Sequence, residues 1–574
     1  MKRSITVLGI NDGHDCGAAL IRDGKVIAAV QEERLSNIKH HSGVPERSIK
    51  EVYKIAKIHP SETDAIAIVS LNRVYSPLEE YPLKVKFFEK IAPIFHGKRF
   101  TKLYVSILHK FRSIDHLMKI FKELGIENKE VRFVEHHLAH ASSAYRTCPW
   151  GYDKDVLVMT ADGAGDGVSS TVNIARNGEI ERIAWSTFYD SLGNAYYSEI
   201  TRYLGMKPWD HEYKVMGLAP YGKPEYCIDK MKKIIRLNPK NPLEFQNTFG
   251  SYLKSMQPKL YKLLKDQRFD NIAAACQAYY EELMISWVRT AIEKTNINKV
   301  AFAGGNILNV KANMRILEIE EVEDAFFYPA CGDDGTPVGA ALQIYYEICK
   351  EEGIKPEFHP LEDLYYGPEY NDEEIKETLK KEGLLEKAEK YDEIEEIVGD
   401  LLTKGKIVAR FNGRVEWGPR ALGNRSILAD ARDFKVVKKL NTAIKQRDFW
   451  MPFAPTILEE RMEEYLANAR PARYMILAFN TTEKRNEIIA AIHPQDFTAR
   501  PQTLNSWNPK YRKILKEFEK ITGIGGILNT SFNLHGYPIV GTPELALWTF
   551  KNSGLEYLAI TMKVMEKISK SYKS

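Results

Sequence analysis

The chain has 574 residues, 44% of them hydrophobic and 11% aromatic, with 81 Lys and Arg against 77 Asp and Glu. It is too long for one core and too apolar for disorder, so about three or four packed units are expected. A net charge of +4 gives no general attraction for nucleic acid or acidic membranes, so neither is expected as a partner.

The N-terminal stretch "MKRSITVLGINDG" lacks the apolar core and cleavage site of a signal peptide, and no apolar run is long enough to span a bilayer. Cys16, Cys148, Cys227, Cys276, Cys331 and Cys349 form no CxxC pair. Scattered cysteines of this kind read as reduced thiols in a cytoplasmic protein.

Residues 4–35 alternate apolar β-rich runs with "NDGHD" and "RDGK". An Asp-Gly pair between apolar runs is a hairpin signal, so the chain opens as strand, turn, strand, turn, strand. Residues 77–130 carry Lys, Phe, Leu and Ile at helical spacing and read as a helical insertion with a solvated basic face. "VEHHLAHASSAY" then places His136 and His140 at i and i+4 on one helical face, with His137 about 100° away.

Residues 155–186 repeat the opening plan, with "DGAGDG" and "RNGE" as turns. A shift of 154 positions lays Arg22-Asp23-Gly24 over Arg176-Asn177-Gly178, and Asp12-Gly13 over Asp166-Gly167. This is an internal duplication at the level of the three-stranded unit. An amphipathic helix over 270–300 leads into the strand "KVAFAGG". The Pro-, Gly- and acid-rich stretch 354–372 is the best domain boundary, giving domains 1–355 and 356–574. Beyond it "EEIVGDLLTKG", "KIVARFNG", "VVKKLNTAIK" and "FEKITGIGGILNTSF" alternate helix and strand, so the whole chain is of the α/β class.

No GxxxxGK[ST] loop, HExxH or GxSxG is present. "DGAGDG" is not a dinucleotide fingerprint, because strand rather than helix follows it. Glycine turns between strands can still hold phosphate, since the backbone approaches closely and successive N–H groups form an anion nest. Gly163 and Gly165, with Gly304, Gly305 and Asn309 of "GGNILN", are the candidate nucleotide contacts. Two imidazoles with a nearby carboxylate and open positions suit Fe(II), with Zn and Mn as alternatives; Asp162, Asp333 and Asp334 are available.

The duplicated hairpins, the HxxxH, "GGNILN" and "CGDDG" together resemble the ASKHA (actin-like ATPase) superfamily, in its branch of carbamoyl-transferring domains related to the tRNA threonylcarbamoyl transferase. That resemblance implies a metal, usually iron, held by His136, His140 and Asp333, with Asp162 as a further ligand. "EWGPRALGNRSILADAR", "NTAIKQRDFWMPFAP", "DFTARPQTLN" and "LNTSFNLHGYPIV" are similar to the YrdC-like carbamoyltransferase C-terminal domain. In this region Arg420, Arg425, Lys445, Arg447 and Arg500 supply cations and Ser531 and Asn533 neutral donors for carbamoyl phosphate and ATP. "EERLSNIKHHSGVP" and "DHEYKVMGLAPYG" also resemble motifs of the NodU/TobZ-type O-carbamoyltransferases, and the chain is identified as a member of that group. Membership implies a transfer site lined by Asp12, His14, Glu33, Arg34, Lys39 and His40, with Asp12, His14 and Lys39 as the catalytic set.

The expected reaction is ATP-dependent. Carbamoyl phosphate and ATP, with Mg, form carbamoyl-adenylate in the C-terminal domain, and a hydroxyl of a sugar or small molecule receives the carbamoyl group in the N-terminal one. His14 is the candidate general base, with Asp12 or Asp15 nearby. The competing readings are a threonylcarbamoyl-adenylate enzyme acting on tRNA, a non-catalytic ATP-binding protein and a sugar-kinase-like phosphotransferase.

Overall fold

The computed structural model describes residues 3–72, 94–95, 97–110, 112–445 and 447–566. The chain divides into two compact units. One comprises Met1–Glu32 and His40–Leu361; the other comprises Glu33–Lys39 and Glu362–Ser574. No helix among the described residues is long and apolar enough to cross a membrane.

The first unit is built twice. Strands β1 (Thr6–Asn11), β2 (Gly17–Arg22) and β3 (Lys25–Gln31) form an antiparallel meander. β4 (Ala65–Val69) and β5 (Glu130–Val134) add in parallel, giving the order β3-β2-β1-β4-β5. Strands β6 (Val156–Gly165), β7 (Val168–Arg176) and β8 (Glu179–Thr187) repeat the meander. After a hairpin of β9 (Ile235–Asn238) and β10 (Asn241–Asn247), strands β11 (Lys299–Ala303) and β12 (Asp324–Phe327) complete a second sheet of order β8-β7-β6-β11-β12. The two sheets share one topology. The central strand β1 is buried along its whole length, which suits a strand covered on both faces.

The outer turns match the 154-residue shift: Asp23 and Gly24 (φ 51° and 77°) correspond to Asn177 and Gly178 (φ 49° and 84°). Both pairs have the two positive φ values of a tight hairpin turn. The inner turns do not match it. Ile21 pairs with Val7, but Ala175, its counterpart, pairs with Val156, so β1 overlies β6 at a shift of 149. Asp12-Gly13 therefore overlies Ala161-Asp162, not Asp166-Gly167. The second hairpin is longer by five residues, and Asp162 lies near the end of β6, ahead of its Asp166-Gly167 turn.

Helix His136–Thr147 follows β5, and helix Thr336–Glu351 closes the unit. The two pack closely because Gly339 has no Cβ; one added there would lie 1.8 Å from the Ala139 carbonyl oxygen. Gly9 of β1 makes a similar approach to the carbonyl of Pro337. The expected helix over 270–300 runs from Phe269 to Thr295. In the insertion, the structure places helices Lys98–His109 and Asp115–Leu124 ahead of β5. The helical reading of residues 77–93 lies outside the described residues.

The second unit is also α/β. Its eight-stranded mixed sheet has the order β13-β22-β21-β14-β15-β20-β16-β19. The strands are β13 (Ala388–Lys390), β14 (Val408–Phe411), β15 (Arg425–Ala429), β16 (Ala454–Leu458), β19 (Gln502–Leu504), β20 (Gly526–Ser531), β21 (Tyr557–Ile560) and β22 (Lys563–Glu566). β17 (Phe479–Asn480) and β18 (Thr498–Ala499) form a separate short pair.

Candidate functional site

Three pieces of the first unit converge on one buried cluster. Helix His136–Thr147 supplies His136 and His140, the end of strand β6 supplies Asp162, and the turn before helix Thr336–Glu351 supplies Asp333. His136 Nε2 lies 3.4 Å from Asp162 Oδ2 and 3.4 Å from Asp333 Oδ1. His140 Nε2 lies 3.6 Å from the same Asp333 oxygen and 3.2 Å from His136 Nε2.

The neighbours orient these groups. Ser70 Oγ sits 3.2 Å from His136 Nδ1, leaving Nε2 to face the acids. The Gly305 N–H donates to Asp162 Oδ1 at 2.8 Å, so Oδ2 is the oxygen turned to the histidines. Asp166 accepts from the backbone N–H groups of His136, Leu71 and Asn72, each at 2.9 Å, and so ties the helix start to the second inner turn. Gly165 packs flat on the His136 ring; a Cβ there would come within 2.1 Å of it.

The electrostatics ask for a cation. Burial opposes charge on His136, yet Asp333 and Asp162 outweigh it and hold the imidazole well above its usual range. Burial likewise opposes the Asp333 carboxylate, but His136 outweighs it and keeps the group well below its usual range. A proton on His136 thus supplies the positive charge that two buried carboxylates require. One donor atom from each of the four residues lies within 4.8 Å of the others. Donors about 2.0–2.2 Å from a tetrahedral ion stand about 3.3–3.6 Å apart, so the observed spacing and the N₂O₂ donor set fit a divalent transition metal.

His137 is committed elsewhere. Its Nε2 faces the Val168 carbonyl oxygen at 3.1 Å and its Nδ1 the Thr160 hydroxyl at 2.7 Å. Burial, then the charge of His136, holds it well below its usual range, so it is a neutral structural ring.

Beside this cluster lies the first inner turn. His14 Nδ1 is 3.3 Å from Asp15 Oδ2 and 3.6 Å from Asp333 Oδ2, and its ring stacks on His40. His40 in turn bonds Asp15 at 2.9 Å and Asp210 at 3.3 Å. Burial pushes His14 down, but Asp15 and then Asp333 raise it to about 9. Asp15, rather than Asp12, is therefore the partner of His14. Asp12 is buried and faces Arg112 and His116, two residues that sequence reasoning missed. Both come from the insertion, about a hundred positions away, and no motif marks them. Arg34 donates to the Gly418 carbonyl at 2.6 Å and belongs, like Lys39, to the segment that packs with the second unit.

Of the expected nucleotide contacts, Gly163 and Gly305 border Asp162, and Gly304 needs its glycine for φ 101° and a close approach to the Ala161 carbonyl. Asn309 is committed elsewhere. Its Oδ1 caps helix Val310–Leu317 through Ala312 N–H, and its amide pairs reciprocally with Gln277. A short amide at a helix start is a cap first, and no single sequence separates that role from ligand binding.

In the second unit, Lys445 is buried and donates to Ser531 Oγ at 3.2 Å, Asn533 Oδ1 at 2.6 Å, and the carbonyls of Ser531 and Asn533. Burial, then Arg447, holds its ammonium well below the usual lysine range. Burial, then Arg420 and Arg447, does the same for Arg500. Four cations thus feel one another's charge, with Ser531 and Asn533 accepting hydrogen bonds from Lys445. Arg425 does not join them. Its guanidinium donates to the carbonyls of Asn412, Asn424 and Gly413 and stacks 3.7 Å from the Phe411 ring centroid. Burial lowers it to about 10, and it is a structural arginine of the sheet.

Residues 6–342 match the family model for the carbamoyltransferase N-terminus, and residues 399–567 match that for the carbamoyltransferase C-terminus. An uncharacterized protein of Methanocaldococcus jannaschii is 32% identical, over 95% of this chain and 97% of its own length. Nodulation protein NolNO of Sinorhizobium fredii is 31% identical over 96% of this chain and 79% of its own length. Nodulation protein U of Bradyrhizobium diazoefficiens is 24% identical over 92% of each.

Proposed function

The chain belongs to the carbamoyltransferase family, and on that premise we propose that it is an ATP-dependent O-carbamoyltransferase working in two half-reactions. The observation that carries the reading is the pairing, in one chain, of a buried acid–imidazole cluster with a buried cluster of cations. The first suits a metal ion, the second a polyphosphate.

In the second unit, water releases phosphate from carbamoyl phosphate. An oxygen of the resulting carbamate attacks the α-phosphorus of ATP, bound with Mg, and pyrophosphate leaves, giving carbamoyl-adenylate. Lys445, Arg420, Arg447 and Arg500 neutralise the phosphate charge, and Ser531 and Asn533 hold the Lys445 ammonium in place. This is catalysis by positioning and electrostatics.

In the first unit, an acceptor hydroxyl attacks the carbamoyl carbon and AMP leaves. His136, His140, Asp162 and Asp333 would hold Fe(II), with Zn or Mn as the alternatives, and the ion would bind and polarise phosphate or carbamoyl oxygen. His14 is the proposed group that moves the proton. Against burial, Asp15 and then Asp333 raise its pKa, so pairing of the Asp333 charge with a cation would bring His14 closer to the neutral base that the attack needs. Asp15 and His40 fix its ring.

The test is mass spectrometry of a cell extract incubated with the full-length protein, ATP and carbamoyl phosphate. A metabolite heavier by one carbamoyl group is expected. ATP consumption indifferent to carbamoyl phosphate would favour a binding protein, and ADP in place of AMP a phosphotransferase. Threonylcarbamoylated tRNA, formed from threonine, bicarbonate, ATP and tRNA, would overturn the acceptor class.

A further inference from the structure

Asp12 is 1% exposed, and both its oxygens are bound by side chains from the inserted segment. Arg112 forks onto it, one terminal nitrogen 2.7 Å from Oδ1 and the other 3.1 Å from Oδ2. His116 Nε2 reaches Oδ2 at 2.6 Å. Arg112 is as buried as Asp12, each with 2% of its side chain exposed, and its Nε has no hydrogen-bond partner. The same segment seats on the second inner turn: a Cβ on Gly167 would meet Thr101 at 2.5 Å and Val105 at 3.0 Å. Helix Lys98–His109 therefore packs on the second inner turn, while Arg112 and His116 hold Asp12 at the first, the turn that carries His14.

We propose that Arg112 and His116 are positioning residues for the carbamoyl-transfer step, acting through Asp12 on the turn that carries His14. A buried ion pair gives little net stability over apolar packing of the same volume, so what it supplies is a fixed geometry. Within the turn, Asn11 accepts from Gly13 N–H at 3.0 Å and donates to the His14 carbonyl at 2.6 Å. From outside, the Gly13 carbonyl accepts from Gly43 N–H and the Ser42 hydroxyl, and Asp15 pairs with His40; Asp12 is the turn residue through which the insertion adds its own hold. Ligand-orienting partners of this kind change activity by about 10–100-fold when removed. The inference rests on the proposed carbamoyl transfer.

The test uses full-length protein with ATP, carbamoyl phosphate and cell extract. Initial rates of carbamoylated product are followed against carbamoyl phosphate concentration, with pyrophosphate release measured in parallel. Arg112→Lys and His116→Ala are expected to lower kcat for product by about 10–100-fold, with KM for carbamoyl phosphate and pyrophosphate release within about twofold of wild type. His116→Gln, which keeps a donor, is expected to recover part of the loss. Lys119→Ala, on the same helix with its side chain 84% exposed, is the control and leaves every rate unchanged. Product formation within about twofold of wild type in both Arg112→Lys and His116→Ala, or pyrophosphate release falling in step with product, would overturn the proposal.

A second readout does not depend on activity. In Arg112→Lys the amides of Asn11–Asp15 are expected to exchange hydrogen about tenfold faster or more, while the central strands keep their protection. Unchanged exchange there would overturn the brace. Wild-type protein that forms no carbamoylated product counts against the proposed function, and the exchange result then decides the brace.

Discussion

The two units bury charge in opposite ways. In the first, carboxylates and imidazoles stand together, each drawing the other toward its ionised form. In the second, Lys445 and Arg500 stand near further cations, and burial and repulsion both push them toward the neutral form. On the proposed function, the first arrangement takes up a cation and the second an anion. Neither is a good choice for stability alone, because buried charge adds little net stability unless it is fully compensated.

The sharpest way to break this comparison is to remove one ligand from the first cluster. Asp333→Ala is expected to bring metal content to background and to lower carbamoylated product by about 100-fold or more, with pyrophosphate release kept. Anaerobic purification with elemental analysis checks the first, and mass spectrometry the second. Full metal occupancy in this variant would refute the cluster as a cation site.

The converse change falls in the second unit. Arg500→Met is expected to cut carbamoyl-phosphate-dependent pyrophosphate release by about 10²–10³-fold while metal content stays at the wild-type level. Thermal unfolding without ligand is expected to show no loss of stability, because the change relieves repulsion with Arg420 and Arg447. A clear destabilisation would show that Arg500 is held by compensation rather than strain.

A smaller effect follows from Lys445. Its folded-state pKa lies below the ordinary lysine value, so between the two the unfolded chain binds more protons than the folded one. Stability from this group therefore rises with pH across that window. Binding of pyrophosphate, which favours the charged ammonium, weakens over the same window. Unfolding curves of wild type and Lys445→Met, with and without pyrophosphate, check both signs; the variant is expected to flatten the rise.

The smallest effect separates structure from function at Asn309. Asn309→Ala is expected to cost about 1 kcal/mol through the lost helix cap, with pyrophosphate release unchanged. Calorimetry and the release assay measure the two sides.

How much of the fold and the site is legible in the sequence depends on how far apart the partners lie. The meanders are readable because the Asp-Gly and Asn-Gly turns signal locally, and the i, i+4 spacing puts His136 and His140 on one face of any helix that holds them. The 154-residue shift holds only where the hairpins are equal in length; the five extra residues of the second β6–β7 hairpin are invisible to it, since glycine-rich segments align with one another by composition. Arg425 and Asn309 resemble ligands because guanidinium and amide groups serve carbonyls and helix ends as well as phosphate. Arg112 and His116 carry no signal, because their contact with Asp12 exists only after the insertion has folded back on the sheet.

The most direct measurement is phosphorus NMR of ATP turnover by the purified protein, with and without carbamoyl phosphate. Pyrophosphate appearing only when carbamoyl phosphate is present, with a phosphomonoester or phosphodiester of adenosine and no ADP, is the expected result. ADP as product, or ATP loss that ignores carbamoyl phosphate, would contradict a chain that activates carbamoyl phosphate in one unit and transfers the carbamoyl group in the other.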